Sequence, residues 1–360
     1  MTIRQERSRR GSRRPVSESG LDVVVAESVA ELDLDAWSSV VEAAAAPVQY
    51  TASYLRAYEA APLSTFTTAR YLRVVDGDRT LAVLPLYLQE RPDPYDALRG
   101  AGLPIGSGRA LLGHNWYCYD TQVPLLPEVG ARPALRDRVL RTALCAATEL
   151  GEDLGAPVTG LVNVAQNDPL LDVARRSGWQ TAPIVDRFQL PLAGLTSHDD
   201  YLATLGPRTR RTVRQYLRRA ADAGVTTSVT PPTPATLRTV CALSRRTAAK
   251  YGSAGMYPEE AFVDFVMRLR EHALVVRVDL GPQTLAAAVV LLDAQRLHMW
   301  VGGTSHATVH SFSPNYLLWA TEIGTAIELG KAWVEGGRAN RPMKERHGMR
   351  ALPLFACLTG

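Results

Sequence analysis

The alternation of apolar and polar positions predicts two β-hairpins, one in each half of the chain. RVVDGDRTLAVLPLYL begins at Arg73, and RVDLGPQTLAAAVVLL begins at Arg277. A glycine, a threonine and a Leu-Ala pair recur at the same places in both stretches. Because β-branched residues flank a glycine-containing turn, each stretch predicts strand, tight turn and strand.

The elements after the two hairpins also agree in order. In the first half, a helix from Pro133 to about Leu154 precedes the strand PVTGLVNV, the short helix DPLLDVARRSG and the strand IVDRFQL. In the second half, SPNYLLWATEIGTAIELG predicts a helix that stops at Gly330, and the strand KAWVEGG, the helix RPMKERHG and the strand LPLFACL follow. The shared order predicts a duplicated unit of mixed α/β structure. Chance similarity of two hairpins is the alternative.

The stretch GPRTRRTVRQYLRRAADAG predicts a basic helix over residues 207–222. Pro207 suits a first helical turn and Gly224 suits a stop. Val213, Leu217 and Ala220 fall at i, i+4 and i+7, which predicts a stripe that packs inward. The other faces carry arginines, whose guanidinium groups suit phosphate oxygens; a merely solvated surface is the alternative. The arginines proposed to bind phosphate are Arg208, Arg210, Arg211, Arg214 and Arg218.

Composition is ordinary for a globular protein, with 46% hydrophobic and 21% charged residues in 360 and a net charge of +4. Residues 1–19 form an arginine-rich arm without an apolar pattern, for which we expect disorder. A first domain is expected over 20–192 and a second over 193–360, with the basic helix in the second. No stretch of about 18 apolar residues predicts a membrane span.

The sequence offers no motif for several common chemistries. The four cysteines lack CxxC spacing, so we expect neither disulfides nor zinc, and a cytoplasmic location. The seven histidines include no HExxH pair, and no metal site is predicted. A GxSxG elbow, a P-loop and a strand-linked GxGxxG are also missing from the sequence.

The order of hairpin, helix, strand, helix and strand resembles the GNAT acyltransferase superfamily. In its duplicated form it is similar to the Fem-type peptidoglycan aminoacyltransferases and their BioF2-like relatives, over residues 20–360. Three stretches carry the resemblance in the second half: YLATLGPRTRRTVRQYLRRAADAG, SPNYLLWATEIGTAIELGKAWVEGG and MKERHG. In the first half, GHNWYCYDTQVPL is similar to a family loop with a Tyr-Asp pair. The resemblance implies two tandem GNAT-like domains with mixed sheets.

The resemblance also implies acyl transfer to an amine and leaves the donor to be decided. Fem-type enzymes take an aminoacyl group from charged tRNA, whereas the wider superfamily uses acyl-CoA through a glycine-rich turn whose N–H groups bind pyrophosphate. Here VGGTSHATVHSFSPNYLL has no glycine in the turn before Pro314. We therefore expect no bound cofactor and aminoacyl-tRNA as co-substrate. Acyl-CoA is the alternative donor, and a non-catalytic RNA-binding module is the alternative from another class.

Three residues are candidates for the chemistry. By resemblance, Lys344 in MKERHG stands where the Fem-type lysine stabilises developing negative charge; a plain surface lysine is the alternative. His347 lies three residues on and could relay a proton or cap the helix. Asp120 could accept a proton from the attacking amine, or it could make an Asx-turn.

Further residues are candidates for binding. Asn315 and Tyr316 begin the long second-half helix and are expected to face the donor. The expected partners are tRNA and a small-molecule amine or cell-wall precursor, and not DNA; the oligomeric state is left open. The acceptor candidates lie on a glycine-rich loop and beyond a strand end, where ligand contacts are common: Lys250, Tyr257, Glu335, Arg338 and Asn340.

Overall fold

The fold consists of two compact units, of which a computed structural model describes residues 12–16, 20–64, 66–106, 108–249, 258–305 and 311–359. The first unit comprises the described parts of 1–55, 64–185 and 353–360. The second comprises the described parts of 56–63 and 186–352. No helix within these described ranges is long and apolar enough to cross a membrane.

The described residues form thirteen strands and twelve α-helices. The strands, in chain order, are β1 Ser12–Val16, β2 Leu21–Ala26, β3 Phe66–Asp76, β4 Arg79–Gln89, β5 Ala110–Gly113, β6 Val158–Ala165, β7 Gln180–Pro191, β8 Val225–Thr230, β9 Ala273–Leu280, β10 Gln283–Leu292, β11 Arg296–Thr304, β12 Trp333–Glu335 and β13 Arg350–Leu358. The helices are α1 Leu34–Ala43, α2 Ala52–Ala60, α3 Ala97–Gly100, α4 Pro127–Gly130, α5 Pro133–Asp153, α6 Pro169–Arg176, α7 His198–Thr204, α8 Pro207–Asp222, α9 Pro234–Ala249, α10 Glu259–Leu269, α11 Pro314–Glu328 and α12 Arg341–Arg346.

Both predicted hairpins form, as β3–β4 and β9–β10, and they share a side-chain contact. In the first hairpin the guanidinium of Arg73 donates to Thr80 Oγ1 at 2.8 Å. In the second, Arg277 donates to Thr284 Oγ1 at 3.2 Å. An arginine and a threonine seven residues apart therefore form an equivalent hydrogen bond across the turn of each hairpin.

The two sheets repeat one topology. In the first unit the strand order is β1-β2-β3-β4-β5-β6-β13, and in the second it is β8-β9-β10-β11-β12-β7. Within each, a hairpin and a third antiparallel strand lead to a parallel pair, β5 with β6 and β11 with β12. This repetition confirms the prediction of a duplicated unit with mixed sheets.

The last strand of each sheet comes from the other half of the chain. β13 pairs antiparallel with β6, with Leu358 opposite Gly160, and β7 pairs antiparallel with β12. The predicted second domain, 193–360, therefore loses its final strand to the first unit, and the second unit begins at residue 186 rather than 193. Pairing between strands so distant in sequence leaves no local signal, so the sequence could not show this exchange of strands.

Part of the predicted disordered arm is a strand. Residues 12–16 pair antiparallel with β2, with Ser12 opposite Val25 and Val16 opposite Leu21. An edge strand is held by backbone hydrogen bonds and needs no apolar pattern of its own, so this part of the prediction is wrong. The rest of the arm, 1–11 and 17–19, lies outside the described residues.

The basic helix α8 begins and ends as the sequence predicts. Val213 and Ala220 are buried, and Leu217 packs against the same core, so the predicted inward stripe is confirmed. Gly224 follows the helix with φ +75°, a left-handed conformation that favours glycine. α8 packs against α11, which in turn covers β9, β10 and β11. The basic helix is therefore fixed to the sheet of the second unit.

Contact between β6 and β13 predicts a penalty for enlarging Gly160. A Cβ at this position would lie 2.7 Å from the carbonyl oxygen of Cys357 and would also overlap the side chain of Leu358. We expect Gly160→Ala to destabilise the protein by about 1–3 kcal/mol through overpacking. Gly324→Ala is the control, because a Cβ there meets nothing within 4 Å and should stabilise α11 by about 0.5–1 kcal/mol. Thermal melting of both variants measures this; equal melting temperatures would contradict the pairing.

Candidate active site

A small pocket of about 220 Å³ lies in the second unit, where β10 and β11 meet α11 and α12. Its wall combines apolar side chains such as Leu318 and Trp319 with glycine backbone and a few polar groups. Lys344 and Glu322 are the titratable residues that line it among those described. Two groups that can carry opposite charges thus share one largely apolar space.

Lys344 lies on α12 and is buried, with 5% of its surface exposed. Its Nζ is 5.0 Å from the centre of the Phe188 ring. Burial lowers the pKa of this amine to about 7, and the positive charge of Arg338 lowers it further. Asn340 begins α12 in a left-handed conformation, and Pro342 in the first turn continues the helix, which turns Lys344 inward. The amine therefore exchanges its proton near neutral pH, unlike a surface lysine.

Glu322 is the second ionisable residue of the pocket, and sequence reasoning missed it. It is 2% exposed on α11, and its Oε2 is buried with no hydrogen-bond partner among the described residues. Burial raises the pKa of its carboxyl group to about 8. A readable signal existed: Leu318, Glu322 and Ala326 fall at i, i+4 and i+8, so an acid occupies the apolar stripe of the helix.

Close backbone packing keeps the pocket small. A Cβ on Gly303 would lie 2.3 Å from the backbone of Leu243 on α9, and one on Gly302 would lie 2.9 Å from Ala288 Cβ. At the end of β12, a Cβ on Gly336 would overlap the sulfur of Met349. These three glycines line the pocket. Because they have no side chains, α9 and Met349, which lies just before β13, can approach the pocket closely.

The predicted donor residues on α11 have different surroundings. Asn315 lines the pocket, and its Nδ2 lies 3.4 Å from the sulfur of Met343. Tyr316 is half-buried, with its ring 5.2 Å from that of Tyr216 and 4.9 Å from that of His347. Asn315 is therefore positioned to meet a ligand in the pocket, whereas Tyr316 packs in the core.

His347 follows α12 as its C-terminal cap and lies outside the lining of the pocket. Its Nδ1 is 3.2 Å from the hydroxyl of Tyr201, and its ring packs edge-on against Tyr316 and Trp319. Burial and the charge of Arg346 lower the pKa of its imidazole to about 4. The ring is therefore neutral near pH 7, and the structure does not bring it together with Lys344 in the pocket.

Glu335 belongs to a buried network beside the pocket. Gln189 donates a hydrogen bond to its Oε1, while Arg187 and Arg296 lie 4.0 Å and 3.9 Å from its carboxylate. All these partners are buried or nearly so, which fits a structural role in joining β12 to β7 and β11.

Arg338 and Asn340 occupy the connection between β12 and α12. Arg338 is half-buried and acts electrostatically on Lys344. Asn340 is exposed and its amide lies 3.4 Å from the sulfur of Met343. The remaining acceptor candidates, Lys250 and Tyr257, lie outside the described residues.

The arginines of α8 form an exposed face. Arg210, Arg211, Arg214 and Arg218 line a groove on this helix, and Arg208 is exposed one turn earlier. Arg214 lies 3.5 Å from the exposed carboxylate of Asp199, and Arg210 donates to a carbonyl oxygen of α7. Within the described ranges, no carboxylate lies within 4 Å of the other three. These cations are therefore available to an anionic partner.

Asp120 lies in the first unit, on the loop before the bridge that Thr121 makes with Val164. It is 9% exposed, and its charge helps to raise the pKa of the buried Tyr50 phenol, behind the larger effect of burial. His114 lies in the same unit, with Nε2 2.8 Å from the carbonyl oxygen of Gln49, and burial lowers its pKa to about 4. This part of the first unit is therefore a packed polar cluster.

In the described part of the chain, no group of three or more His, Cys, Asp or Glu side chains could hold a metal ion. The four cysteines are all free thiols.

Comparison with known proteins supports the fold seen here. Residues 207–345 match the family model of the acetyltransferase (GNAT) domain. No curated protein matches the chain in sequence. The structure of FemX is similar, with a TM-score of 0.65 at 12% identity, covering 90% of this chain and 94% of that one.

Two further structures extend the likeness. The C-terminal domain of a putative lysylphosphatidylglycerol synthetase from Agrobacterium fabrum gives a TM-score of 0.57 at 14% identity, covering 92% of this chain and 93% of that one. A tandem GNAT protein from the clavulanic acid biosynthesis pathway, solved without AcCoA, gives a TM-score of 0.53 at 15% identity, covering 94% of this chain and 98% of that one. Residues 207–345 therefore match the GNAT domain in sequence, and the fold of the chain is like that of FemX and of a tandem GNAT protein.

Proposed function

We propose that the protein transfers an aminoacyl group from charged tRNA to the amine of a small molecule or a cell-wall precursor. The GNAT domain supports acyl transfer as the reaction class, and the Fem-like resemblance supports tRNA as the carrier. The observation that carries the proposal is Lys344: a buried amine with a pKa of about 7, in a small pocket of that domain.

The proposed reaction needs a cation at one point. The acceptor nitrogen attacks the ester carbonyl carbon, the carbonyl oxygen becomes negatively charged, and the bond to the ribose oxygen of tRNA then breaks. One proton leaves the attacking nitrogen and one reaches the departing oxygen. Protonated Lys344 can donate a hydrogen bond to the negative oxygen, and in a pocket poor in water this interaction is strong.

The donor's nucleic-acid part would contact α8. Arg211, Arg214 and Arg218 repeat along one exposed face of a helix that is fixed to the sheet. Guanidinium groups bind phosphate with paired hydrogen bonds, and each neutralised phosphate releases counterions. A charged tRNA would thus be held by its backbone, with its aminoacyl end free to enter the pocket.

An acyl-CoA donor is the second candidate. The matched family is described as an acetyltransferase, and the clavulanic acid pathway relative is described with reference to AcCoA. A pocket of about 220 Å³ would hold an acetyl group as readily as a small aminoacyl group. Against CoA stands the sequence before Pro314, which has no glycine to bring N–H groups to a pyrophosphate.

Four further residues have minor roles in this proposal: Asp120, His347, Arg338 and Asn340. Asp120 is proposed to orient or deprotonate the acceptor amine, and Arg338 and Asn340, which flank α12, to contact the acceptor. For His347 we favour capping of α12 over proton relay, because it lies outside the pocket lining. We also propose that the protein works in the cytoplasm, where charged tRNA is made.

Donor binding is the first prediction from the proposed function. We expect salt-sensitive binding of a mixed pool of charged tRNA, measured at several salt concentrations, and no binding of acetyl-CoA. Changing Arg211, Arg214 and Arg218 together to glutamate should weaken binding and reduce the slope of log affinity against log salt by about 2–3, because three phosphate contacts are lost.

The control for this experiment reverses three other exposed arginines at the start of α5, so that the net charge changes equally: Arg132, Arg138 and Arg141. Its salt slope should stay close to that of the parent. Binding of acetyl-CoA alone would make the protein an acyl-CoA enzyme. Salt-sensitive RNA binding with no transfer to any amine would make it an RNA-binding module.

Turnover is the second prediction. Lys344→Ala should lower kcat by about 10²–10³-fold, because a donor to the negative oxygen is lost, while donor affinity changes little. Arg346→Ala is the control: it removes an exposed cation from the same helix, two residues away, and should leave kcat unchanged. Single-turnover transfer from charged tRNA measures both. Equal rates for Lys344→Ala and the parent would remove Lys344 from the reaction.

A further inference from the structure

We propose that the pocket beside Lys344 is a subsite for a free α-ammonium group, with Glu322 as its counter-ion. The acyl group that this protein accepts would then be an aminoacyl group whose own amine is unmodified. This inference rests on the proposed aminoacyl transfer and adds to it the chemical identity of the acyl group. It is carried by the position and the missing partner of Glu322.

Glu322 is held where a carboxyl group is costly. It lines the pocket, is 2% exposed, and its Oε2 has no hydrogen-bond partner among the described residues. A buried polar group without a partner destabilises the fold, and a buried charge does so more strongly. In the unliganded protein, burial therefore raises the pKa of this carboxyl group to about 8. A ligand that supplies a donor would remove this cost.

The charge of the pocket favours a cationic donor over a neutral one. Lys344 cannot neutralise Glu322 fully, because its own pKa is lowered to about 7 and it is largely uncharged above that pH. A free α-amino group has a pKa of about 7.7–8.0, close to that of Glu322, so the two can share a proton in a short charge-assisted contact. An acetyl group brings no donor and would leave Oε2 unmatched.

Space in the pocket suits a small group. Its volume of about 220 Å³ is below the roughly 300–1,000 Å³ of sites for drug-sized ligands. Gly302, Gly303 and Gly336 hold it at this size through backbone packing. A small aminoacyl group would place its ammonium on Glu322 on α11 and its carbonyl oxygen toward Lys344 on α12. One residue would then select the acyl group while the other stabilises the reaction.

The uncompensated burial of Glu322 can be checked through the pH dependence of stability. Its pKa is about 8 in the folded protein against an ordinary value of 4.5. Its contribution to stability is therefore fully present below pH 4.5 and is lost as the pH rises to about 8. Glu322→Gln should therefore melt higher than the parent by a margin that grows from pH 5 to pH 8. Lys344 has the opposite pH dependence, because its contribution to stability is lost as the pH falls from 10.5 to about 7. This contribution is present in both the parent and Glu322→Gln, so it does not affect the difference between them. A margin independent of pH would show that Glu322 is not buried as an unmatched acid.

Two small probes test the ammonium subsite without any tRNA. L-alaninamide carries an α-ammonium group, and propionamide has the same shape without it. In protein labelled with ¹³C at glutamate carboxyl carbons, the resonance missing from Glu322→Gln identifies Glu322. We expect saturating L-alaninamide to lower the pH midpoint of this resonance by at least one unit, a tenfold preference for the ionised form. Propionamide should not move it.

Binding to variants completes the test. Glu322→Gln should weaken L-alaninamide binding at least tenfold and leave propionamide binding unchanged. Glu328→Gln, an exposed glutamate on the same helix outside the pocket, is the matched control and should bind both probes like the parent. Glu322→Asp keeps the carboxyl group but draws it back from the pocket because the side chain is shorter. It should also weaken binding of L-alaninamide and leave binding of propionamide unchanged.

The outcomes separate this inference from the proposed function. If charged tRNA supports transfer but L-alaninamide leaves the Glu322 resonance unmoved, the ammonium subsite is wrong and the aminoacyl transfer stands. If L-alaninamide shifts the Glu322 resonance of the parent and Glu322→Gln weakens L-alaninamide binding, the subsite is supported, even where transfer from tRNA fails. Equal binding of both probes to the parent and to Glu322→Gln would overturn the inference.

Discussion

Desolvation of two ionisable side chains in one small pocket is the constraint around which the second unit is organised. Lys344 and Glu322 sit on different helices, and both lose water on folding. Each has its pKa displaced toward neutrality from its own side, so both can exchange protons under physiological conditions. Such groups reduce stability, and a protein retains them where a bound ligand or a reaction uses them.

Backbone packing enforces this desolvation. The glycines at the ends of β11 and β12 allow α9 and the methionine before β13 to pack closely around the pocket. The glycines that permit this close packing are therefore different residues from the two that carry the ionisable groups. Substituting one of the glycines would change the pKa of Lys344 through the packing around it, and substituting Glu322 would change that pKa through charge.

Local patterns in the sequence were enough to predict the hairpins, the basic helix and its buried stripe, because each depends on neighbours within a few residues. The fold class followed from their repetition. Lys344 came from resemblance, and its burial could not be read from MKERHG. Glu322 was readable as an acid in an apolar stripe of α11. The pairing of β7 with β12 and of β13 with β6 could not be predicted, because pairing between distant strands has no local pattern.

The reciprocal placement of β7 and β13 has a consequence for how the protein is made. The first sheet is completed by residues 354–358, which are synthesised after residues 186–352 of the second unit. Until then β6 presents an unpaired edge, so the first unit cannot finish folding before the second unit has been synthesised. The two units therefore depend on each other to fold, and a cut between β7 and β8 would leave each part without a strand that it needs.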